Sequence, residues 1–352
     1  MFFRRRQKSS MEQEIFEQAN VLENLLRIHV NDNNYIEFDI PTDIKKVVIV
    51  ASGSSYHCAR YTADLFGNIA DIEARAIYSS EFLLKNVVPH ENDILYVFIT
   101  QSGETSDTNS ALKKAKELGM RTLCITNKKG STIWESSDFQ IDCHAGEEKS
   151  IAATKSLTTQ MFCGTLLVLK YAAHKGIDIS NYLNELKTIS NFVEKTYELH
   201  SQIKKVAKFL SKYKNIVVTA DGISYAIAKE ASLKIKETSY INVYSNILGE
   251  FMHGHLAVLN NKPAMVHISI NELSYTAIKN LNKIAEDYSP KLCIIGCSNE
   301  KLNPKFNINI NCESDIIKSF CIVVIVQLLA LEIATALGRN VDKPHGLNKV
   351  VK

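Results

Sequence analysis

A turn rich in small hydroxyl side chains follows the apolar run at residues 94–100. Gln101, Ser102, Gly103 and Thr105 stand in this turn, directly before a helical segment. Such a strand-to-helix turn presents free N–H groups and the positive end of a helix dipole, which together bind anions. No P-loop lysine follows, so a sugar phosphate fits better than a nucleoside triphosphate. The alternative is an ordinary helix N-cap by Ser102 or Thr105.

A second turn of the same kind follows the apolar run at residues 46–51, where Ser54 and Ser55 stand after Gly53. Ligands of open parallel sheets bind beyond the carboxyl ends of the strands, so the two turns should lie side by side. Ser54 and Ser55 would then complete a phosphate cup or bind sugar hydroxyls. Taken alone, a serine-glycine turn is a weak indication, because such turns are common.

A lysine and a glutamate, Lys234 and Glu237, are three positions apart and so share one face of a predicted helix. A carboxylate there could move a proton between adjacent carbons of an open-chain sugar. The alternative is a solvated charged face.

Two further side chains suit the same chemistry. His253 lies in a glycine- and histidine-rich segment at residues 249–255, and a neutral imidazole near pH 7 could open a sugar ring. The segment has too few ligands for a metal site, and a structural turn is its alternative. Lys349 stands near the end of the chain, where a frayed tail is the default. A desolvated lysine there could form an imine with a ketone.

The elements that position these residues are predicted from apolar runs that alternate with helical segments. Such alternation predicts buried parallel strands in βαβ units. The expected strands lie at 46–51, 94–100, 122–126 and 139–141, and at 216–220, 265–270, 291–296 and 308–310. The fold class is therefore α/β, with two doubly wound parallel sheets.

The two series of strands match at one spacing, which indicates a duplicated unit. Gly53-x-Ser55-Tyr56 recurs 169 residues later as Gly222-x-Ser224-Tyr225. We predict a helical lead at 1–29, domains at 30–175 and 190–335, and a tail at 340–352 that closes the site. The second copy lacks the glycine of the hydroxyl turn, so we expect one anion site per chain, in the first domain.

Composition excludes several classes of protein. The net charge of +3 is too small to indicate a nucleic-acid or membrane surface. No apolar run is expected to reach the ~18–20 residues of a membrane helix. Several of the cysteines lie in apolar runs and none has metal-site spacing, which predicts buried, reduced thiols. Arg4–Arg5–Arg6 precedes no apolar core, so no export signal is expected, and we predict a cytoplasmic protein without metal or cofactor.

Taken together, these motifs resemble the sugar isomerase (SIS) domain family, and within it the isomerase half of the glutamine–fructose-6-phosphate aminotransferases. The similar segments are MEQEIFEQ, ASGSSY, TQSGET, the ATK–TTQ run at 153–160, LKIKETSY, GEFMHGHLAV and VDKPHGLNKV. They are spread in order over nearly the whole chain. The resemblance implies flavodoxin-like SIS domains. It also implies a homodimer, in which the partner subunit supplies His253.

The resemblance implies a role for each matching residue. Glu237 would carry the proton between C1 and C2, Lys234 would assist it, His253 would open the ring, and Lys349 would form the imine. The residues implied in substrate binding are Ser54, Ser55, Gln101, Ser102, Gly103, Thr105, Ile151, Ala152 and Ala153.

Two departures from the family pattern limit the interpretation. The chain has no counterpart of the glutaminase part, so we expect that it does not release ammonia from glutamine. His345 stands where the family usually has arginine. We therefore expect a phosphosugar isomerase or deaminase acting on a 6-phosphorylated amino sugar. The alternatives are a fructosamine-6-phosphate deglycase and a non-catalytic sugar-phosphate sensor.

Overall fold

The computed structural model describes residues 8–86, 89 and 91–350. Residues 1–7 of the predicted lead, with its Arg4–Arg5–Arg6 run, and residues 351–352 of the predicted tail lie outside the described residues. The strands are β1 (Lys46–Ala51), β2 (Glu73–Tyr78), β3 (Ile94–Thr100), β4 (Arg121–Thr126), β5 (Phe139–Asp142), β6 (Asn215–Ala220), β7 (Asn242–Ile247), β8 (Ala264–Ser269), β9 (Lys291–Gly296) and β10 (Phe306–Ile308).

Helices connect and cover these strands. They are α1 (Ser10–Phe16), α2 (Gln18–His29), α3 (Gly53–Leu65), α4 (Ser79–Leu84), α5 (Ser106–Glu117), α6 (Thr132–Ser136), α7 (Lys155–His174), α8 (Ser180–Leu186), α9 (Ile189–Glu198), α10 (His200–Leu210), α11 (Ser224–Ser239), α12 (Leu248–Phe251), α13 (Tyr275–Tyr288) and α14 (Asp315–Ala336). A π-helical turn, Phe66–Ala70, extends α3, and a 3-10 helix, His255–Asn261, follows α12.

Both sheets are parallel and five-stranded, which confirms the predicted fold class. Their orders are β2-β1-β3-β4-β5 and β7-β6-β8-β9-β10. This is the flavodoxin-like order, in which the connections reverse direction between the first and third strands. Ligands of such sheets bind at that switch point, so the first sheet should hold its ligand between the ends of β1 and β3.

One hydrophobic core joins the two domains. Helices α3 and α7 cover the inner face of the first sheet, and α11 and α14 cover that of the second. The four helices pack against one another, with the strands' inward side chains beneath them. Smaller clusters fill the outer faces, under α4 to α6 in one domain and α12 and α13 in the other. Because the inner helices are shared, residues of each domain reach the edge of the other.

The sequence-predicted strands are all present, and each end falls within two residues of the prediction. Two strands were missed, β2 and β7. Both are edge strands with half-exposed, partly polar side chains, so neither shows a continuous apolar run. Their starts, Glu73 and Asn242, are again 169 residues apart, so the repeat itself extends to them. The domain boundaries stay predictions.

Helix α14 corrects one expectation from composition. It is long and apolar enough to cross a membrane, with a mean hydropathy of 2.3 over an 18-residue window, although no such run was expected. In the fold, 94% of that window is buried inside the protein, as in the core helix of a globular domain. The Gln327 side chain on this helix accepts a hydrogen bond from Gln18 of α2 and donates one to the Thr154 carbonyl oxygen.

The lead and the tail meet beside the first domain. Asp342 of the tail accepts hydrogen bonds from the backbone N–H groups of Ser10 and Met11, at 2.9 and 2.8 Å, and so caps α1. The Asp342 carbonyl oxygen accepts a hydrogen bond from the Ile151 N–H. The eight cysteines are free thiols, and all but Cys297 and Cys312 are buried.

Candidate active site

A cleft of about 760 Å³ opens at the switch point between β1 and β3. It brings together the two hydroxyl turns, one face of α11 and the tail. Its lining residues are Ser52, Gly53, Ser54, Ser55, Ile99, Thr100, Gln101, Ser102, Thr105, Thr108, Ile151, Ala153, Glu237, Gly346, Leu347, Asn348, Lys349 and Val350.

The hydroxyl turn after β3 leaves hydroxyl and N–H groups at the edge of the cleft. Thr105 takes the N-cap position of α5 in extended conformation, but its side chain makes no capping hydrogen bond. Its hydroxyl instead pairs with that of Thr100, at 3.0 Å, and the Ser102 hydroxyl accepts from the Glu104 N–H, at 3.1 Å. The simple N-cap alternative therefore fails for Thr105. The first turn of α5 keeps free N–H groups at the edge of the cleft.

Gly103 is buried behind this turn and does not line the cleft. Its φ of +69° lies in the left-handed region, and a Cβ at this position would overlap the side chain of Ser131. The Gly103 carbonyl oxygen accepts hydrogen bonds from Asn109 Nδ2 and the Ile133 N–H. Gly103 therefore shapes the turn through its backbone, because no other residue fits against the 131 loop.

The α11 face contributes a carboxylate held by a buried lysine. Glu237 lines the cleft, and one carboxylate oxygen accepts from Lys234 Nζ at 2.9 Å. The Lys234 side chain is fully buried, so the alternative of a solvated charged face is wrong for it. Lys234 Nζ also donates to the Ser54 hydroxyl, at 3.1 Å. One ammonium thus links the proposed base to a serine of the first hydroxyl turn.

Two residues that sequence reasoning missed complete this buried network. Glu230, one helical turn before Lys234 on α11, lies 3.2 Å from Lys234 Nζ. His57 of α3 contacts the other Glu230 oxygen through Nδ1, at 2.6 Å. Positions 230, 234 and 237 share one helix face, and this spacing was the available signal for Glu230. His57 is 173 residues away in sequence from Glu230, and no local pattern links them.

The network fixes the charge of Glu230. Burial alone would raise the pKa of its carboxyl, but Lys234 and His57 hold that pKa at about 2. Burial likewise opposes the charge of Lys234, and the two carboxylates more than offset it, so the pKa of Lys234 is raised. Lys234 therefore pairs with two carboxylates at once. The pair with Glu237 holds that carboxylate in place at the edge of the cleft.

The tail lysine reaches the cleft from the opposite side. Lys349 Nζ donates to the carboxylate of Glu148 and to the Ser150 carbonyl oxygen, the latter at 2.7 Å. Glu148 is fully buried, and it also accepts from the N–H groups of Thr154 and Ser156 at the start of α7. Burial alone would raise the pKa of Glu148, but the adjacent Lys349 ammonium holds that pKa below its ordinary value. Nothing in the sequence singled out Glu148.

The structure therefore brings most of the predicted residues into one cleft and leaves a few outside it. The predicted binding residues that line the cleft are Ser54, Ser55, Gln101, Ser102, Thr105, Ile151 and Ala153, and Glu237 and Lys349 line it too. Ala152 is buried behind the loop and Lys234 behind Glu237. His253 is exposed after α12 and does not line the cleft of its own chain.

No metal site accompanies the cleft in the part of the chain that the structure describes. Among residues 8–86, 89 and 91–350, no three histidine, cysteine, aspartate or glutamate side chains are grouped as metal ligands. The chemistry of the cleft is that of hydroxyls, free N–H groups, the Glu237 carboxylate and the Lys349 ammonium.

Comparisons with known proteins agree with this architecture. The SIS domain profile matches residues 42–170 and 209–337. A glutamine–fructose-6-phosphate aminotransferase (isomerizing) of Aquifex aeolicus is 33% identical over 98% of this chain and 58% of its own length. The chain thus spans little more than half of that relative.

Solved structures show the same fold. The C-terminal domain of glucosamine-fructose-6-phosphate aminotransferase from Francisella tularensis is 27% identical, with a TM-score of 0.89, over 97% of this chain and 100% of its own. Glucosamine-6-phosphate deaminase from Thermotoga maritima has a TM-score of 0.77 over 97% of this chain and 99% of its own, at 21% identity. The two profile matches cover most of the chain, which therefore belongs to the SIS domain family.

Proposed function

We propose that the chain is a phosphosugar isomerase and deaminase acting on a 6-phosphorylated amino sugar. One observation carries the proposal: Glu237 and Lys349 line the same cleft as Ser102 and the other hydroxyls of the two turns. An anion site, a base and an amine in one cavity suit a phosphorylated open-chain sugar. The related aminotransferases and the deaminase of the same fold support this class of substrate.

The proposed net reaction is glucosamine 6-phosphate plus water giving fructose 6-phosphate plus ammonia. His253 of a partner subunit opens the sugar ring, and the free N–H groups after Ser102 hold the phosphate. Glu237 takes the proton from C2 and returns it to C1, which converts the C2 amine into an imine. Lys349, once it has lost its proton, attacks C2 and releases ammonia, and water then frees the ketose from the lysine.

The exposed position of His253 supports the proposed homodimer. Its side chain is exposed and does not line the cleft of its own chain. In the proposed dimer, the ring-opening imidazole is His253 of a second copy, as the family resemblance implies. A cytoplasmic location stays a prediction.

The size of the cleft supports a second candidate. At about 760 Å³ it lies within the ~300–1,000 Å³ of sites for drug-sized ligands and leaves room beyond a hexose phosphate. A deglycase, which splits a 6-phosphofructosyl-amine from an amino acid, would use that room with the same phosphate turn and carboxylate. A partner subunit that enters the cleft would reduce the room and favour the smaller substrate.

One assay tests both candidates. The purified protein is incubated with glucosamine 6-phosphate, and in parallel with a fructosamine 6-phosphate, while ammonia, fructose 6-phosphate and free amino acid are measured. The proposal predicts ammonia from the first substrate, with a loss of about 10²–10⁴-fold in Glu237→Gln. Glu117→Gln, at an exposed site on α5, is the matched control. Free amino acid from the second substrate alone would identify a deglycase. Thermal stabilisation without any product would identify a sensor.

A further inference from the structure

The segment before α7 connects the tail with the wall of the cleft. We call its residues 148–151 the Ser150 loop. The peptide group between Ser150 and Ile151 meets the tail with both of its polar atoms. The Ser150 carbonyl oxygen accepts from Lys349 Nζ at 2.7 Å, and the Ile151 N–H donates to the Asp342 carbonyl oxygen at 3.0 Å. Ile151 also lines the cleft. The position of this one peptide group therefore affects both the tail lysine and the cleft wall.

Glu14 of α1 holds the other side of the Ser150 loop. One carboxylate oxygen accepts hydrogen bonds from the N–H groups of Lys149 and Ser150, the latter at 3.2 Å. The other oxygen accepts from the Ser150 hydroxyl. Glu14 is buried, with 4% of its surface exposed. Ser150 is thus bound by α1 through its N–H and hydroxyl groups, and by the tail lysine through its carbonyl oxygen.

Helix α1 is a firm support for this loop. Met11 and Ile15 are fully buried, and the helix packs on α14 in the core. Glu17, at the end of α1, accepts from the ammonium of Lys155 at the start of α7, at 2.6 Å. The segment that carries the Ser150 loop is therefore tied to α1 at two points, through Glu14 and through Glu17.

We propose that Glu14 is a positioning residue, which fixes the Ser150 loop and through it holds Lys349 at the cleft. The inference rests on the proposed function, in which Lys349 forms an imine with the sugar. Glu14 does not line the cleft, so it acts through Ser150. A carboxylate suits this role because its two oxygens receive three donors. A glutamine would keep one oxygen and would turn an NH₂ group toward N–H and O–H donors.

The first test follows the tail without any sugar. Amide hydrogen exchange of the full chain is measured by mass spectrometry, on the peptide that carries residues 340–350. Glu14→Gln should speed exchange there by about tenfold or more, because hydrogen bonds to a charged group are lost. Peptides from β8 and β9 should exchange as in the parent chain, which separates loosening of the tail from loss of the fold. Glu12→Gln is the matched control, because Glu12 stands on the same helix and the loop donates to Glu14 instead.

The second test separates positioning of the lysine from binding of the sugar phosphate. Borohydride trapping of fructose 6-phosphate on Lys349 should fall by about tenfold in Glu14→Gln. The affinity for glucitol 6-phosphate, which has no carbonyl group and forms no imine, should stay within about twofold. Ser150→Ala removes only the hydroxyl donor to Glu14, so it should show faster tail exchange and weaker trapping by about 2- to 10-fold. This milder variant serves if Glu14→Gln does not fold.

The inference is overturned if the tail exchanges at the parent rate in both Glu14→Gln and Ser150→Ala. It is equally overturned if the tail exchanges faster in these variants while Lys349 is trapped as in the parent chain. A parent chain that traps no fructose 6-phosphate would instead contradict the proposed function. The exchange of the tail, measured without sugar, would then decide by itself whether Glu14 holds the tail.

Discussion

The ammonium of Lys349 is bound by the carboxylate of Glu148 and by the Ser150 carbonyl oxygen. Glu148 also accepts the first N–H groups of α7, so a single buried carboxylate ties the tail to the start of a core helix. The tail lysine is therefore held at a fixed place beside the cleft. It must lose its proton before it can attack a carbonyl carbon, since only the neutral amine is nucleophilic.

Substitution of Glu148 should impair imine formation without affecting phosphate binding. Glu148→Gln removes the charge that holds Lys349, and breaking a buried pair is strongly destabilising to the geometry it supports. We expect borohydride trapping of fructose 6-phosphate on Lys349 to fall by more than about tenfold. Mass spectrometry of the trapped peptide measures this.

The matched control for Glu148 is its neighbour. Glu147 is exposed and pairs with Lys149 at 3.7 Å, so Glu147→Gln should trap as the parent chain does. Equal trapping in Glu148→Gln and Glu147→Gln would show that the buried carboxylate does not position the lysine.

The buried network on α11 should matter for stability as well as for activity. Glu230→Gln leaves Lys234 with one charged partner fewer, which should cost about 3 kcal/mol or more in the free energy of unfolding. Urea unfolding measures the loss. Glu117→Gln breaks an exposed pair with Lys113 and should cost less than about 1 kcal/mol. Similar losses in both variants would contradict the account of Lys234 as a buried ammonium that needs both carboxylates.

Alanine substitutions at Gly103 and Gly119 distinguish the effect of backbone strain from that of close packing. Both have a φ near +70°, but a Cβ at 103 meets Ser131 and Ile133, whereas a Cβ at 119 meets nothing within 4 Å. Each alanine pays about 1–2 kcal/mol for the left-handed conformation. Only Gly103→Ala should also displace the hydroxyl turn and weaken sugar-phosphate binding, as calorimetry can show. Equal affinity in the two variants would mean that the turn does not bind the phosphate.

Acid should destabilise the protein through a buried histidine that does not line the cleft. Burial lowers the pKa of His267 on β8 to about 4, and its Nδ1 lies 3.0 Å from the Thr219 hydroxyl. The unfolded chain takes up this proton near its ordinary value, so the stability is present above about pH 6.5 and is lost as the pH falls toward 4.

The size of the His267 effect follows from the pKa difference. Between about pH 7 and about pH 5 the free energy of unfolding should fall by about 2 kcal/mol from this group. Urea unfolding of the parent chain and of His267→Gln at both pH values measures it. A profile that is equally steep in His267→Gln would assign the acid sensitivity to other groups.

Much of the fold was predictable because its signals are local. Buried parallel strands such as β1 and β3 are continuous apolar runs, and both were predicted with their observed bounds. The edge strands β2 and β7 were not, because half-exposed side chains break the pattern. A long apolar segment was not expected at α14, because Lys318 and Gln327 interrupt the run of apolar residues. Gln327 is paired inside the core, and Lys318 is paired with the half-exposed Asp315 at the start of the helix.

The candidate site was predictable only where motif and function coincide. The hydroxyl turns and Glu237 stand in recognisable segments, so the sequence indicates them. Glu148, Glu230 and His57, which pair with the lysines of the site or with each other, stand in no such segment, so the sequence does not indicate them. Glu148 and Lys349 are 201 positions apart, and His57 and Glu230 are 173 apart. The first pair forms when the tail folds against the loop before α7, and the second when α3 packs on α11, so no local pattern reveals them.

Solvent exchange at the sugar carbons tests the proposed role of Glu237 most directly. Fructose 6-phosphate is incubated with the protein in deuterium oxide, and deuterium at C1 is followed by NMR, with binding measured separately by calorimetry. The parent chain should introduce deuterium, and Glu237→Gln should lose this activity by about 10²–10⁴-fold while it still binds the sugar phosphate. Exchange at the parent rate in Glu237→Gln would contradict the proposal that this carboxylate moves the proton.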